Sequence, residues 1–430
     1  MEKKKLKAEL WDKMHYLFRD YNDRMVHLEL EYEYKIDIDA LKTVIICFFE
    51  KIPVLHSSFT DNHISPYWTV NKYTIDEILT VKDIDESDIA QEVDSFLTQY
   101  IPPEANVQMK VGVFYHGDKS TLCIVENHMC MDGGDFKYFC KSLCENYNEY
   151  IDERVTPIDV RSGSRSYQTV YNDFKPSDKK AAENLYKNIN KSDNHRFPFA
   201  EATPEDKSFI AKRIIPAEKF LKIKSEGKKY GATINDMIMA AYFYSIYELA
   251  GYDESESMCI SSAIDLRRHK KNIEDSGYTN HTAWMQCKIP ERGRDIFATL
   301  QYSIRSANQF KQDKFMGLHG LPLLSLGYKI MPHAASEEII KIGYSNPYFA
   351  MSNIGILETD KLALQGHEPV NGFMSGAVKY KPFILLSATT MRNVLTLSVC
   401  CRGNEEDKNI INKFFDLIEK NLDKLIAGDD

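Results

Sequence analysis

The chain has 430 residues, a formal net charge of −9, and 43% hydrophobic and 12% aromatic residues. At about 100 to 200 residues per domain, this length predicts two or three globular units, with two similar halves a natural arrangement and little material for disorder. The acidic balance excludes a nucleic-acid surface spread over the whole protein.

The opening stretch MEKKKLKAELWDKM is charged and amphipathic and lacks the apolar core and cleavage site of a secretory signal, so a cytoplasmic location is expected. Met25 to Lys35 reads as a strand, and Asp39 to Lys51 as a helix broken by Pro53. A strand near Ser65 to Val70 and a helix near Ile84 to Tyr100 follow. Paired strands at Val107 to Tyr115 and Thr121 to His128, turning at HGDKS, complete an alternating α and β half.

Within it, Thr121 to Phe136 (TLCIVENHMCMDGGDF) carries the chemistry. Leu122 to Val125 is a short apolar run closed by Glu126-Asn127, so His128 sits where a buried strand hands over to a loop. Gly133-Gly134 allow a tight turn, and Asp135 is placed to cap a helix marked by Phe136, Phe139, Cys140, Leu143 and Tyr147. Such a junction holds an imidazole at a fixed angle, while Asp132 either fixes the local backbone or pairs with a distant cation. Imidazole titrates near pH 6.5, so His128 is a candidate general base; a hydrogen-bonded structural histidine is the alternative.

From Ile151 to about Asp206 the pattern is turn-rich, with one helix over 177–190; Tyr167 to Phe174 can pack on either half. The second half opens with a strand at Ser208 to Ile215 and a helix at Ala217 to Glu226. Thr233 and Asp236 form a capping-box pattern before a buried helix, Ile234 to Leu249. Cys259 to Ile264 is a strand running into Asp265, Leu266, Arg267, Arg268 and His269. Further strands are expected at His281 to Lys288, Tyr348 to Ile354, Phe383 to Thr389 and Val394 to Cys400, with helices at Arg292 to Gln309 and Asp407 to Ile426.

The most apolar long stretch, Met237 to Ala250, is too short for a bilayer and is interrupted by Ser245 and Glu248, so no membrane span is expected. Nine cysteines without a repeated spacing fit reduced thiols, and neither cysteines nor histidines show a metal-site spacing, so no metal is expected. Between Lys207 and Lys229 eight basic residues (Lys207, Lys212, Arg213, Lys219, Lys222, Lys224, Lys228, Lys229) face only Glu218 and Glu226. That run is either a solvated helix face or a dock for a phosphate-bearing ligand.

Several segments, in order, resemble the condensation-domain and chloramphenicol-acetyltransferase-like acyltransferase superfamily, nearest to its stand-alone alcohol acyltransferases. His128, Asp132 and Gly133 match the His-x-x-x-Asp-Gly motif. KIDIDALKTVIICFFEKIPVLHSSF resembles the opening helix and its Pro-x-Leu exit at Pro53-Val54-Leu55. GATINDMIMAAYFYSIYEL resembles the helix after the crossover, SSAIDLRRH the strand ending in an arginine, and FAMSNIGIL the Ser-Asn-x-Gly segment.

The resemblance implies an α/β fold of two lobes, each a mixed sheet flanked by helices, arranged as a V around a tunnel. The lobes would span 1–175 and 207–430, joined by 176–206. His128 would take the acceptor's proton as it attacks a thioester carbonyl, with the backbone N–H near Gly133 stabilising the oxyanion. Asp132 would orient the loop by pairing with Arg267, with Arg268 behind it. Ser352 and Asn353 would contact substrate or form a turn before Gly355, and Asn127, which replaces the first histidine of the doubled motif, would also face substrate. The resemblance assigns Cys130 no role.

Acyl-CoA is the implied co-substrate, with no permanently bound cofactor and a small alcohol or amine as acceptor. A carrier-protein-bound donor, docked on Lys207 to Lys229, is the alternative; a non-catalytic binding protein with this fold is the third reading.

Overall fold

A computed structural model describes residues 3–153, 160–178, 194–271, 276–343 and 347–428. Two mixed sheets organise the molecule. The first has five strands, in the order Asn371–Ser375, Met25–Tyr32, Lys119–Asn127, Met109–His116 and Leu79–Asp83; only the last pairing is parallel. A small sheet of Lys5–Lys7, Tyr67–Val70 and Ser57–Thr60 lies in the same half of the sequence.

Lys119–Asn127 is buried along nearly its whole length because both faces of its sheet are covered. Phe136, Phe139, Cys140, Leu143 and Tyr147 belong to one core with Ile124, Val111 and Phe48 from Ile38–Lys51. On the other face, Val125 and Cys123 pack with Val93 and Leu97 of the helix Ile89–Leu97. Each such large side chain contributes about 1.5–3 kcal/mol on burial, enough to hold the strand end that carries His128.

The second sheet runs Thr282–Ile289, Met258–Asp265, Phe349–Leu357, Ile384–Met391, Val394–Gly403 and Lys379–Tyr380, with Lys207–Ile215 also pairing Val394–Gly403. The helices Ile234–Ala250 and Glu405–Ala427 share its core. Thr233 and Asp236 do form the predicted capping box, Asn404 and Asp407 form another, and Gly251 closes the first helix at φ 66°. Along Met258–Asp265, Met258 and Ile260 enter that core, while Ser261 and Ala263 face a cavity between the sheets. The period-two alternation of large and small side chains leaves room there.

The boundaries depart from a linear division in two places. Asn371–Ser375 crosses over to pair with Met25–Tyr32, so a strand from the second half completes the first sheet. Leu10 and Met14 of the helix Leu10–Leu17, with Tyr167 and Tyr171, pack on Leu266, Ala283, Leu318 and Leu321. The Tyr167 segment thus sits at the joint between the halves.

The helix expected at Ile84 to Tyr100 is shorter, Ile89–Leu97, an unexpected strand, Leu79–Asp83, precedes it, and helices at Leu321–Ile330 and His333–Gly343 occupy a region where none is expected. Past residue 178, the helix expected over 177–190 lies outside the described residues. Among the described residues no helix is long and apolar enough to cross a membrane, and no group of three or more candidate ligands could hold a metal.

Candidate active site

His128 follows directly on the strand Lys119–Asn127, its amide donating to the Arg24 carbonyl at 2.8 Å. The ring lines the cavity between the sheets, about 340 Å³ in volume. Asn280, which no sequence motif marks, decides which ring nitrogen is free. Its amide Nδ2 donates to the His128 carbonyl at 2.8 Å, which fixes the orientation of the carboxamide. Its Oδ1 then faces Nδ1 of His128 at 3.0 Å, so Nδ1 carries the proton and Nε2 keeps the lone pair. Burial pushes the His128 imidazole below its ordinary value against opposing contributions from Asp132 and Asn280, which favours the neutral base.

Removing this lock is expected to be felt in rate rather than fold. Asn280→Leu should lower kcat/KM roughly five- to tenfold, the equivalent of about 1 kcal/mol for one net hydrogen bond. The His128 15N shifts should show mixed tautomers; a single Nδ1–H tautomer in the variant would refute the assignment.

A second imidazole lies on the first. His15 stacks on His128 with ring centroids 4.3 Å apart, and burial, then the neighbouring His128, holds it well below its ordinary value. Trp11, Met14, His15 and Phe18 all line the cavity, an i, i+3, i+4, i+7 stripe.

Asp132 is fully buried and its carboxylate accepts several hydrogen bonds. Four distinct donors supply them: Arg267 Nη1 at 3.0 Å, the His281 and Asp135 amides, the latter in the first turn of Gly133–Glu153, and the Thr282 hydroxyl. Burial alone would raise its pKa; Arg267 and these hydrogen bonds outweigh it and hold the carboxyl well below the usual range. Asp132, not Asp135, therefore caps the helix, through Oδ1 to the Asp135 amide at 2.9 Å. Asp135 instead accepts from the Thr279 amide and pairs with Arg161 and with Arg267 Nη2.

Arg267 pairs with Asp132 as expected, and also with Asp265 at 3.0 Å. Arg268 does not support that pair; it reaches Met316. Gly134 makes the pairing possible, since a Cβ there would lie 2.9 Å from Arg267 Nη1, whereas one at Gly133 would meet only Met374 at 3.6 Å. Gly133, Ser352 and Asn353 all line the cavity. Asn353 also accepts from the Gly355 amide at a β-bulge, with Gly355 at φ 84°, and Lys137 Nζ donates to the Ile354 carbonyl at 2.7 Å.

One expectation does not hold. Asn127 is fully buried away from the cavity wall, bonding Gln108 at 2.8 Å and the Met129 amide at 3.1 Å, so it shapes the loop rather than facing substrate. The basic run is largely spent on internal pairs: Lys212 with Glu29, Arg213 with Asp416 and Glu419, Lys219 with Glu419 and Asp423, Lys222 with Glu218, and Lys229 with Glu226. Five of the eight are so paired, which fits the solvated-face reading of the run. Cys130 is fully buried, and burial pushes its thiol well up, so no thiolate is at hand.

Sequence reasoning also missed Arg165. From the turn-rich connection it grips Asp12 through both nitrogens, at 3.0 and 2.9 Å, and donates to the Met129 and Cys130 carbonyls. The loop after His128 is thus clamped from both halves, by Arg165 on one side and by Thr279 to Thr282 on the other.

Comparison with curated proteins finds no match. Solved structures give the fold. Polyketide synthase associated protein 5 from Mycobacterium tuberculosis is 12% identical, with a TM-score of 0.70 over 99% of this chain and 98% of that one. Trichothecene 15-O-acetyltransferase from Fusarium sporotrichioides is 11% identical, with a TM-score of 0.67 over 98% and 95%. A starter condensation domain of rhizomide synthetase, solved with C8-CoA, is 10% identical, with a TM-score of 0.69 over 99% and 97%. The family model for the condensation domain matches residues 15–308, which include His128, Asp132, Arg267 and Asn280, and the chain belongs to that family.

Proposed function

We propose that this protein is an acyltransferase that moves an acyl group from a CoA thioester to a small alcohol or amine by direct attack, with His128 as general base. The observation that carries the reading is the Asn280 lock, which leaves the Nε2 lone pair of a neutral imidazole at the wall of a cavity built from both sheets. Nε2 takes the acceptor's proton as its oxygen or nitrogen bonds to the thioester carbon. The tetrahedral intermediate then collapses, the C–S bond breaks, and the imidazolium returns the proton to the departing thiolate. The Gly133 amide, at the start of its helix, is the group we assign to the oxyanion.

The CoA-bound condensation domain and the acetyltransferase supply support for a free CoA donor. Internal pairing of the basic run weighs against a carrier docking there. The test is thiol release from acetyl-CoA and octanoyl-CoA against a panel of alcohols and amines, in parallel with phosphopantetheinylated carriers. Transfer from CoA thioesters, lost in a His128 variant, is the expected result. Transfer from carriers alone would replace the donor, and transfer from neither would overturn the reading.

The pH profile has a definite sign. Because the imidazole's pKa lies below 6.5 in the folded protein, the base is protonated only in acid, so kcat/KM should rise with pH along a limb centred below 6.5 and be flat through neutrality. A limb centred above pH 7 would exclude His128 as the base.

A further inference from the structure

Five side chains on the cavity wall carry a formal charge: Asp132, Lys137, Asp265, Arg267 and Lys379. Arg267 pairs with both aspartates, and Lys137 donates to the Ile354 carbonyl. Among the described residues Lys379 alone of the five has neither an ion pair nor a hydrogen bond from its ammonium. Its near neighbour Lys381 is the contrast, clamped by Asp206 and Asp407 at 2.8 Å each.

A half-buried ammonium without a partner is costly to keep unless something outside the protein completes it. Burial pushes Lys379 down to about 8, opposed chiefly by Asp23, whose Oδ1 is already taken by the Met25 and Val378 amides. The charge of Lys379 acts on both His15 and His128, so it stands near the reacting centre. Beside it the wall is aromatic: Phe383 packs on Tyr21 and on Tyr348, with centroids 4.9 Å apart in each pair.

We propose that Lys379 anchors a free carboxylate of the acceptor, so that the acceptor is a hydroxy acid or amino acid with an apolar or aromatic body lying along the Tyr21–Phe383–Tyr348 wall. This rests on the acyltransferase reading for the word acceptor, but the binding it describes does not need turnover. It also bears on the partner: an acceptor tethered to a carrier has its carboxyl tied up as a thioester and would leave Lys379 unanswered.

The test is calorimetric binding of 3-phenyllactate and 2-hydroxyisocaproate, each against its methyl ester, to the full chain. A charge-assisted contact predicts acids binding about 10- to 100-fold tighter than esters. Lys379→Met should erase that preference while the melting temperature holds or rises, and Lys379→Arg should keep part of it. Equal binding of acid and ester to the unaltered protein, no binding of either, or a preference that survives Lys379→Met would overturn the proposal. In His128→Ala the preference should persist. If acids are preferred but no donor supports transfer, the acyltransferase reading falls and the carboxylate site stands.

Discussion

His128→Ala is expected to lower kcat/KM for acyl transfer by about 100- to 10,000-fold, the usual loss when a positioned general base is removed. The argument is geometric. The ring is held by a hydrogen bond from its own Nδ1 to Asn280, by the His15 ring at 4.3 Å and by the backbone bond to Arg24, so its free nitrogen has one direction in which to act. The fold should survive, since the loop is gripped by Arg165 through main-chain carbonyls and by Asp132 through amides, not by the imidazole. Stopped-time transfer assays with circular dichroism check both halves of this statement. Activity within threefold of the parent would remove His128 from the chemistry.

Arg267→Met is expected to cost both stability and rate. Asp132 and Asp135 are almost wholly buried, and Arg267 Nη1 and Nη2 reach them at 3.0 and 2.9 Å. Deleting the shared cation strands Asp132 in the interior and leaves Asp135 with Arg161 alone, and breaking a buried pair this way costs about 3–5 kcal/mol. Arg267→Lys should recover little of it, because a single ammonium cannot reproduce the fork.

The pH dependence distinguishes this from simple loss of packing. Asp132 has a depressed folded pKa, so in the parent its contribution is present above the unfolded carboxylate value and is lost as pH falls through the folded one. Without Arg267 that pKa rises, and the deficit measured by urea unfolding should shrink between neutral pH and about pH 5, where a stranded carboxylate can take up a proton. A deficit constant over that range would point to lost packing alone.

Local features of the chain were legible before any coordinates. The buried strand ending at His128, the apolar stripe of the following helix, the capping box at Thr233 and Asp236, and the arginine closing Met258–Asp265 each depend on residues within one or two turns of one another. The pairing of Asp132 with Arg267 was expected from family resemblance, not from spacing. Asp135 was misassigned as the cap because an aspartate at either position suits a helix start, and only its tertiary partners, Thr279, Arg161 and Arg267, separate the two.

What the sequence by itself determined is therefore the strand end that carries His128, the helix behind it and the kind of sheet that presents them, since periodicity and capping act over short separations and are written directly in residue order. The tertiary structure alone decided the tautomer, the stacked His15, the clamp by Arg165, the crossover strand Asn371–Ser375 and the place of Lys379 on the cavity wall. Asn280 meets His128 across 152 residues. A contact at that separation arises because packing closes the chain on itself, and no local pattern has to record it.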